Sequence, residues 1–286
     1  MAKTLNSIAE LYDDLSRGTL VQNILKYGNR FASLNAHKRL KIPADQRTNY
    51  RKNGEATYLN DLLLDLVELP EHPYILDAGC GFGGMIFHLF ERTGGRYDGY
   101  TLSRVQQQVA QKAATKRGLS EVCRFYLRDY NDPIEEKYDA ILAVESLIHS
   151  SDLKVSIQNL SRSLKPGGQL IIVDDVFENS EAKSSIHFQI LMKYWLLDNI
   201  WSESDFLDAI NGSGLIVLNK LDLTKQVNLL KPEKIEKNIS LFNRLIKFIP
   251  ISLIKSYLRI QLGGFNLQRL YFEKMVKYKV YIAVKS

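Results

Sequence analysis

Cysteine is almost missing from this chain: its 286 residues include two, Cys80 and Cys123, and neither has neighbours at the spacing of a metal quartet. Both are expected as free thiols of a reducing compartment, and no metal site is expected. Long apolar runs are missing as well. No stretch approaches the roughly 18 residues that span a bilayer, and the opening Met1 to Ile8 lacks the apolar run of a signal peptide, so the protein is expected to stay in the cytoplasm. There is no internal repeat and no low-complexity tract. With 45% hydrophobic and 24% charged residues, disorder and fibrous classes are excluded. The length suits one large α/β core with additions, since a second independent domain would leave both halves small.

Acidic residues become scarce toward the C-terminal end. From Lys220 to Ser286 there are 14 Lys or Arg against 4 Asp or Glu, which more than accounts for the net charge of +6. Such asymmetry suits an anionic membrane surface, a phosphorylated substrate or nucleic acid, or it is a set of solvated helix faces.

Between Tyr74 and Phe177 the apolar period switches repeatedly between strand and helix, as βαβ units around a parallel sheet require. Strands are expected at 74–77, 96–100, 122–126, 138–144 and 169–173. Helices are expected at 84–92, 103–117 and 152–164, with Lys165-Pro166-Gly167-Gly168 as the turn before the fifth strand. A helix from Glu55 to Glu68 precedes the first strand and is stopped by Pro70 and Pro73. Residues 1–54 read as a helical lid, in which Tyr12, Tyr27 and Tyr50 are candidate contacts. Later segments read as helices at 184–199 and 203–212 and a strand at 215–221. Residues 231–262 read as an inserted pair of amphipathic helices, and 263–286 as the closing strand region. The core proper is placed at 55–230.

The first strand, Tyr74-Ile75-Leu76-Asp77, runs directly into Ala78-Gly79-Cys80-Gly81-Phe82-Gly83-Gly84. Glycines between a strand and a helix let the backbone approach a ligand and expose the N–H donors of the helix start. The spacing even satisfies GxGxxG, but a dinucleotide site wants an acid at the end of strand two, and the chain there reads Gly99-Tyr100-Thr101-Leu102-Ser103. The acid sits instead at Asp77, where a carboxylate suits a ligand bearing an ammonium group.

Asp77-Ala78-Gly79-Cys80-Gly81 resembles the first motif of class I S-adenosylmethionine-dependent methyltransferases, and Leu164 to Gly168 resembles the turn before their fifth strand. The resemblance covers roughly 55–177. It implies an α/β fold with a doubly wound, Rossmann-like, seven-stranded and mostly parallel sheet, with S-adenosylmethionine across the carboxyl ends of strands one to four and S-adenosylhomocysteine as product. Thr101-Leu102-Ser103 with Gln106 departs from the common form and is similar to the cyclopropane-fatty-acid, mycolic-acid and prenyl-diphosphate C-methyltransferases, in which this segment and a glutamine replace the ribose-binding acid. On that resemblance the cofactor-binding residues are Asp77, Gly79, Cys80, Gly81, Thr101, Leu102, Gln106, Asp129, Tyr130, Glu145 and Tyr12. Asp129 would receive the adenine amino group or would simply serve its turn.

Strand four ends Val144-Glu145-Ser146-Leu147-Ile148-His149, which puts Glu145 at the sheet edge where open α/β sheets bind ligands. The segment resembles the Glu-Ser element of tocopherol, sterol and geranyl-diphosphate methyltransferases. Glu145 is expected either to accept a proton at the reacting centre or to hydrogen-bond cofactor and backbone. His149 is the second catalytic candidate, as a base or as part of the wall. His187, Phe188, Tyr194 and Trp195 are candidates to wall an acceptor pocket, with core packing as the alternative. The expected partner is a small hydrophobic acceptor, with C-methylation of a prenyl, terpenoid or lipid-like compound favoured over N- or O-methylation of an amine, sugar or polyketide. Nucleic acid is not expected, because no Asn-Pro-Pro-Tyr element follows strand four. The basic helices are expected to touch a membrane or to form a homodimer contact.

Overall fold

The computed structural model describes residues 5–27, 34, 37–42, 54–178 and 184–286. Seven strands form one sheet in the order β3-β2-β1-β4-β5-β7-β6. Strands β1 (Tyr74–Ala78), β2 (Arg96–Thr101), β3 (Cys123–Leu127), β4 (Tyr138–Val144) and β5 (Leu164–Phe177) run parallel, and β7 (Val276–Lys285) inserts antiparallel between β5 and β6 (Leu215–Asp222). The order reverses between β1 and β4, and the carboxyl ends of these two strands therefore open the crevice in which such sheets hold ligands.

The strand residues alternate between two apolar clusters, as a sheet covered on both faces demands. Ile75, Ile171 and Val173 face one side, with Leu59 and Leu63 of α2 (Gly54–Asp65), Ile86 and Phe87 of α3 (Gly84–Thr93), Ala110 and Ala114 of α4 (Arg104–Lys116), Leu191 of α6 (Ile186–Trp195) and Leu267 and Leu270 of α9 (Ser252–Phe272). Leu76, Leu170 and Ile172 face the other, with Ile157 and Leu160 of α5 (Leu153–Arg162) and Phe206 and Ile210 of α7 (Glu203–Gly212). Side-chain caps start several of these helices: Asp152 accepts from the Val155 N–H (3.1 Å), and Ser202 and Asp205 form a capping box.

Three segments differ from the sequence expectation. Lys165 to Gly168 does not end a turn ahead of the strand but bulges within β5 itself. Leu164 pairs with Tyr138 and Gln169 with Ala140, so four residues oppose one. Of the expected N-terminal helices, α1 (Leu5–Tyr27) forms, whereas 37–42 are not helical and Leu40 makes an antiparallel bridge to Val227. The inserted pair is α8 (Pro232–Phe248) and α9, and α9 continues past Leu262 to Phe272. Gly263 and Gly264 look like helix breakers in sequence, yet a Cβ on Gly263 would lie 2.5 Å from the Trp195 ring, so glycine is kept there for close packing against α6.

Candidate active site

The loop after β1 is built from left-handed backbone. Gly79, Gly81 and Gly83 have φ of 103°, 54° and 77°, conformations that cost a residue with a Cβ free energy. The N–H groups of Gly79 and Cys80 both donate to Tyr100 O (3.0 and 2.9 Å), which fastens the loop to β2. A Cβ on Gly79 would stand 2.4 Å from the Ser146 Cβ, so the loop also touches the turn after β4. Beneath it Asp77 is buried, and burial raises its carboxyl to about 7. No side chain caps the first turn of α3, whose N–H groups begin at this loop.

One cleft of about 720 Å³ runs from this loop outward. Asp77, Gly79, Cys80, Gly81, Gln106 and Glu145 line it, together with Tyr12, Asn23, Arg39, Trp195, Gln261 and Gln268 from the N-terminal segment, α6 and α9. A smaller side cavity adjoins it, lined by Tyr12, Thr101, Leu102, Gln106, Tyr130, Ser146 and His149. Within that cavity the Thr101 hydroxyl donates to Gln106 Oε1 (2.7 Å), which commits the carbonyl of the amide and leaves its NH2 as the donor for a ligand. The Ser103 hydroxyl caps α4 by accepting from the Gln106 N–H (3.1 Å) and donates to Asp13 (2.5 Å), which ties α1 to the cavity. The Tyr130 hydroxyl donates to Ser146 O (3.1 Å). Asp129 is the exception among the expected cofactor residues: it lines neither cavity, and its carboxylate accepts from the Asn131 N–H (2.9 Å), closing its own turn.

Glu145 has left-handed backbone (φ 52°), which turns the chain off β4 and swings its side chain into the cleft. Residues in such conformations outside glycine concentrate at functional sites. Its carboxylate accepts from the Lys38 N–H (2.8 Å) and from the Tyr278 hydroxyl (2.7 Å). The Lys38 ammonium lies 3.6 Å from Glu145 and 2.7 Å from Asp175. Burial alone would lower the lysine, but Asp175 and Glu145 outweigh it and raise it. Asp175 also accepts from the Tyr271 hydroxyl, and the neighbouring Asp174 accepts from the Ile148 N–H (3.0 Å). Burial, reinforced by Asp175, pushes Asp174 up to about 8.

His149 is half-buried at the side cavity, and the loss of water around its ring lowers it to about 4, so the imidazole is neutral near pH 7. Its ring meets Tyr12 edge-on (5.2 Å) and stacks near Trp195 (6.5 Å), and its Nδ1 has no hydrogen-bond partner among the described residues. The Ser146 hydroxyl is buried in the same condition. Of the aromatic wall expected on α6, Trp195 lines the cleft and donates from its indole to Ile260 O (3.0 Å). Phe188 packs inward on Phe177, and His187 pairs with Asn266. The Tyr27 side chain and Tyr50 lie outside the described residues.

Sequence reasoning missed Lys38, Tyr278 and the Asp174–Asp175 pair. The acid pair carried a signal, two carboxylates directly after a buried apolar run in β5; Lys38 and Tyr278 carried none, since they reach Glu145 from 107 and 133 residues away.

A family model described as mycolic acid cyclopropane synthetase matches residues 55–205. The methyltransferase GfsG of Streptomyces halstedii is 32% identical over 120 residues, which are 41% of this chain and 43% of that protein. The chain spans less than half the length of the first curated relatives it matches. Among solved structures, geranyl diphosphate C-methyltransferase from Streptomyces coelicolor A3(2) superposes with a TM-score of 0.74 at 18% identity, covering 99% of this chain and 98% of that one. The [4+2]-cyclase SpnF superposes with a TM-score of 0.75 at 21% identity, covering 100% and 97%. At these identities the two superpositions speak for a shared fold.

Proposed function

This chain belongs to the mycolic acid cyclopropane synthetase family, and from that premise we propose that it transfers a methyl group from S-adenosylmethionine to a small, lipid-like or terpenoid-like acceptor. The observation that carries the proposal is the single cleft that holds the buried Asp77, the glycine loop and the Glu145 carboxylate together. The residues present fit the cofactor. Among the described residues Asp77 is a buried acid raised to about 7 with no cation against it, Gly79 has no space for a side chain, and the Ser146 hydroxyl and His149 Nδ1 are buried without partners. Bound there, S-adenosylmethionine would supply an electrophilic methyl group. Asp77 would hold the ammonium end, Thr101, Leu102 and Gln106 the ribose side, and Tyr12, Tyr130 and neutral His149 would enclose the rest and keep water out. Glu145, at the end of β4, is the group to take up the proton that the acceptor loses, with Lys38 and Tyr278 holding its carboxylate in place.

Two readings of the acceptor divide on the cleft wall. C-methylation of a prenyl or terpenoid chain is supported by the Thr-Leu-Ser segment and by Trp195 and Tyr12, whose faces suit a developing cation. O- or N-methylation of an uncharged, oxygen-bearing acceptor is supported by the carboxamides of Gln22, Asn23, Gln261 and Gln268, and by Arg39 as the Lys or Arg of a wall that has no diphosphate clamp among the described residues. The chain would be incubated with methyl-labelled cofactor and a panel of prenyl diphosphates, sterols, quinols and hydroxylated polyketides. Label fixed to carbon, oxygen or nitrogen decides between the readings. Cofactor that binds while no label moves to any acceptor, or an acceptor that cyclises unlabelled, overturns methyl transfer.

A further inference from the structure

The hairpin of α8 and α9 has a surface that the cleft chemistry does not use. At its tip Phe248 is 80% exposed and Ile251 55%, and Leu241, Leu253 and Ile254 are exposed beside them. Around them the charge has one sign. From Lys237 to Arg259, the stretch that includes the tip, the chain contains Lys237, Arg244, Lys247, Lys255 and Arg259, with no Asp or Glu. A second apolar group comes from α1, which packs on α9 where Gly18 meets the Tyr257 ring and Gln22 accepts from the Tyr257 hydroxyl. Tyr12, earlier on α1, lies by His149 and so near Trp195 and Gly263, later on α9; the two helices are therefore antiparallel. The end of α1 that carries Val21, Ile24 and Leu25, the last 82% exposed, thus points to the same end of the molecule as Ile251 and Ile254. Both helices also line the cleft, through Gln22 and Asn23 on one side and Ile260 and Gln261 on the other.

We infer that this end of the molecule is a membrane-docking surface, in which the apolar tip enters the acyl boundary of an anionic bilayer and the surrounding lysines and arginines meet its headgroups. Exposed large apolar side chains flanked along the chain by lysines and arginines form the pattern that binds such an interface, because apolar burial and electrostatic attraction then add. A second copy of the chain fits less well, since pairing this end with itself would bring like charges together. The cleft then opens beside the bilayer, and its acceptor is one that dissolves in lipid and enters between α1 and α9. Docking is read without cofactor or turnover, so its outcome is independent of the methyl-transfer proposal.

The test is sedimentation of the full chain with vesicles of phosphatidylcholine alone and of phosphatidylcholine mixed with phosphatidylglycerol. Binding is expected to the anionic vesicles, to fall steeply with added salt, and to weaken about tenfold or more in Phe248→Ser/Ile251→Ser and in Arg244→Glu/Lys247→Glu. These side chains are exposed, so both variants should melt at the temperature of the parent chain, and a matched melting curve is required before either is scored. No binding to anionic vesicles at low salt overturns the inference, as does binding that both variants leave unchanged. A chain that light scattering shows to be dimeric, and that Phe248→Ser/Ile251→Ser makes monomeric without altering its lipid binding, assigns the surface to self-association instead.

Discussion

Lys38→Met keeps the length of the side chain and the backbone N–H that reaches Glu145, and removes a cation set against Glu145, Asp174 and Asp175. At 3.6 Å and an effective dielectric constant of ~20, the lost attraction on the Glu145 carboxylate is at most about 4–5 kcal/mol. Part of it is offset because Asp175, left buried without its cation, takes up a proton and withdraws its own repulsion. Asp175→Asn leaves Lys38 against Glu145 with less competition, and in the double variant both charges are gone. The single Lys38 change should therefore cost about 3–5 kcal/mol in urea denaturation, and the double change much less. Methyl transfer followed with labelled cofactor should fall about tenfold or more in Lys38→Met and less in Asp175→Asn, where the carboxylate keeps its cation. If the single and the double Lys38 changes cost the same, Lys38 serves packing alone and the electrostatic argument fails.

Asp77, raised to about 7 by burial, must be ionised to hold an ammonium group, so cofactor affinity should rise with pH up to about 7 and fall by up to about tenfold per unit below it. Isothermal titration across that range should also detect proton release on binding, and an affinity that does not change with pH would refute the assignment. Gly79→Ala combines a left-handed backbone with a 2.4 Å contact to Ser146. It should cost about 1–3 kcal/mol and abolish cofactor binding in a chain that still folds, checked by melting with and without cofactor. Leu40, fully buried at its bridge to Val227, anchors the segment that carries Lys38. Its replacement by alanine should cost about 2–5 kcal/mol in urea denaturation and slow label transfer as Lys38→Met does; an unchanged rate would separate the anchor from Glu145.

The sheet and the glycine loop were legible because their signals are local. The loop and the apolar run of β5 are each decided by residues within a turn or a strand of one another. What stayed illegible depends on approach across the chain. No pattern near Lys38 marks it as the partner of Glu145, and its segment is held by the bridge from Leu40 rather than by propensity of its own. The inserted helices are expected to stop at Leu262, whereas α9 runs on to Phe272 because Gly263 admits the Trp195 ring. The basic bias of the C-terminal part was visible as a sum, but which side chains it surrounds at the tip of α8 and α9 is a matter of tertiary packing.

The antiparallel seat of β7 bears on the order in which this protein acquires its parts during synthesis. β6 pairs with β7 alone, and Tyr278, which holds the Glu145 carboxylate, belongs to β7. The crevice between β1 and β4 can form once β1 to β5 have left the ribosome, from contacts that are comparatively near in sequence, and the residues of α6 and α9 that line the cleft are added later. The clamp on the acid waits for the strand farthest along the chain to slide between two strands already present. The glycine loop and Asp77 are therefore in place before the Glu145 carboxylate gains its Tyr278 partner.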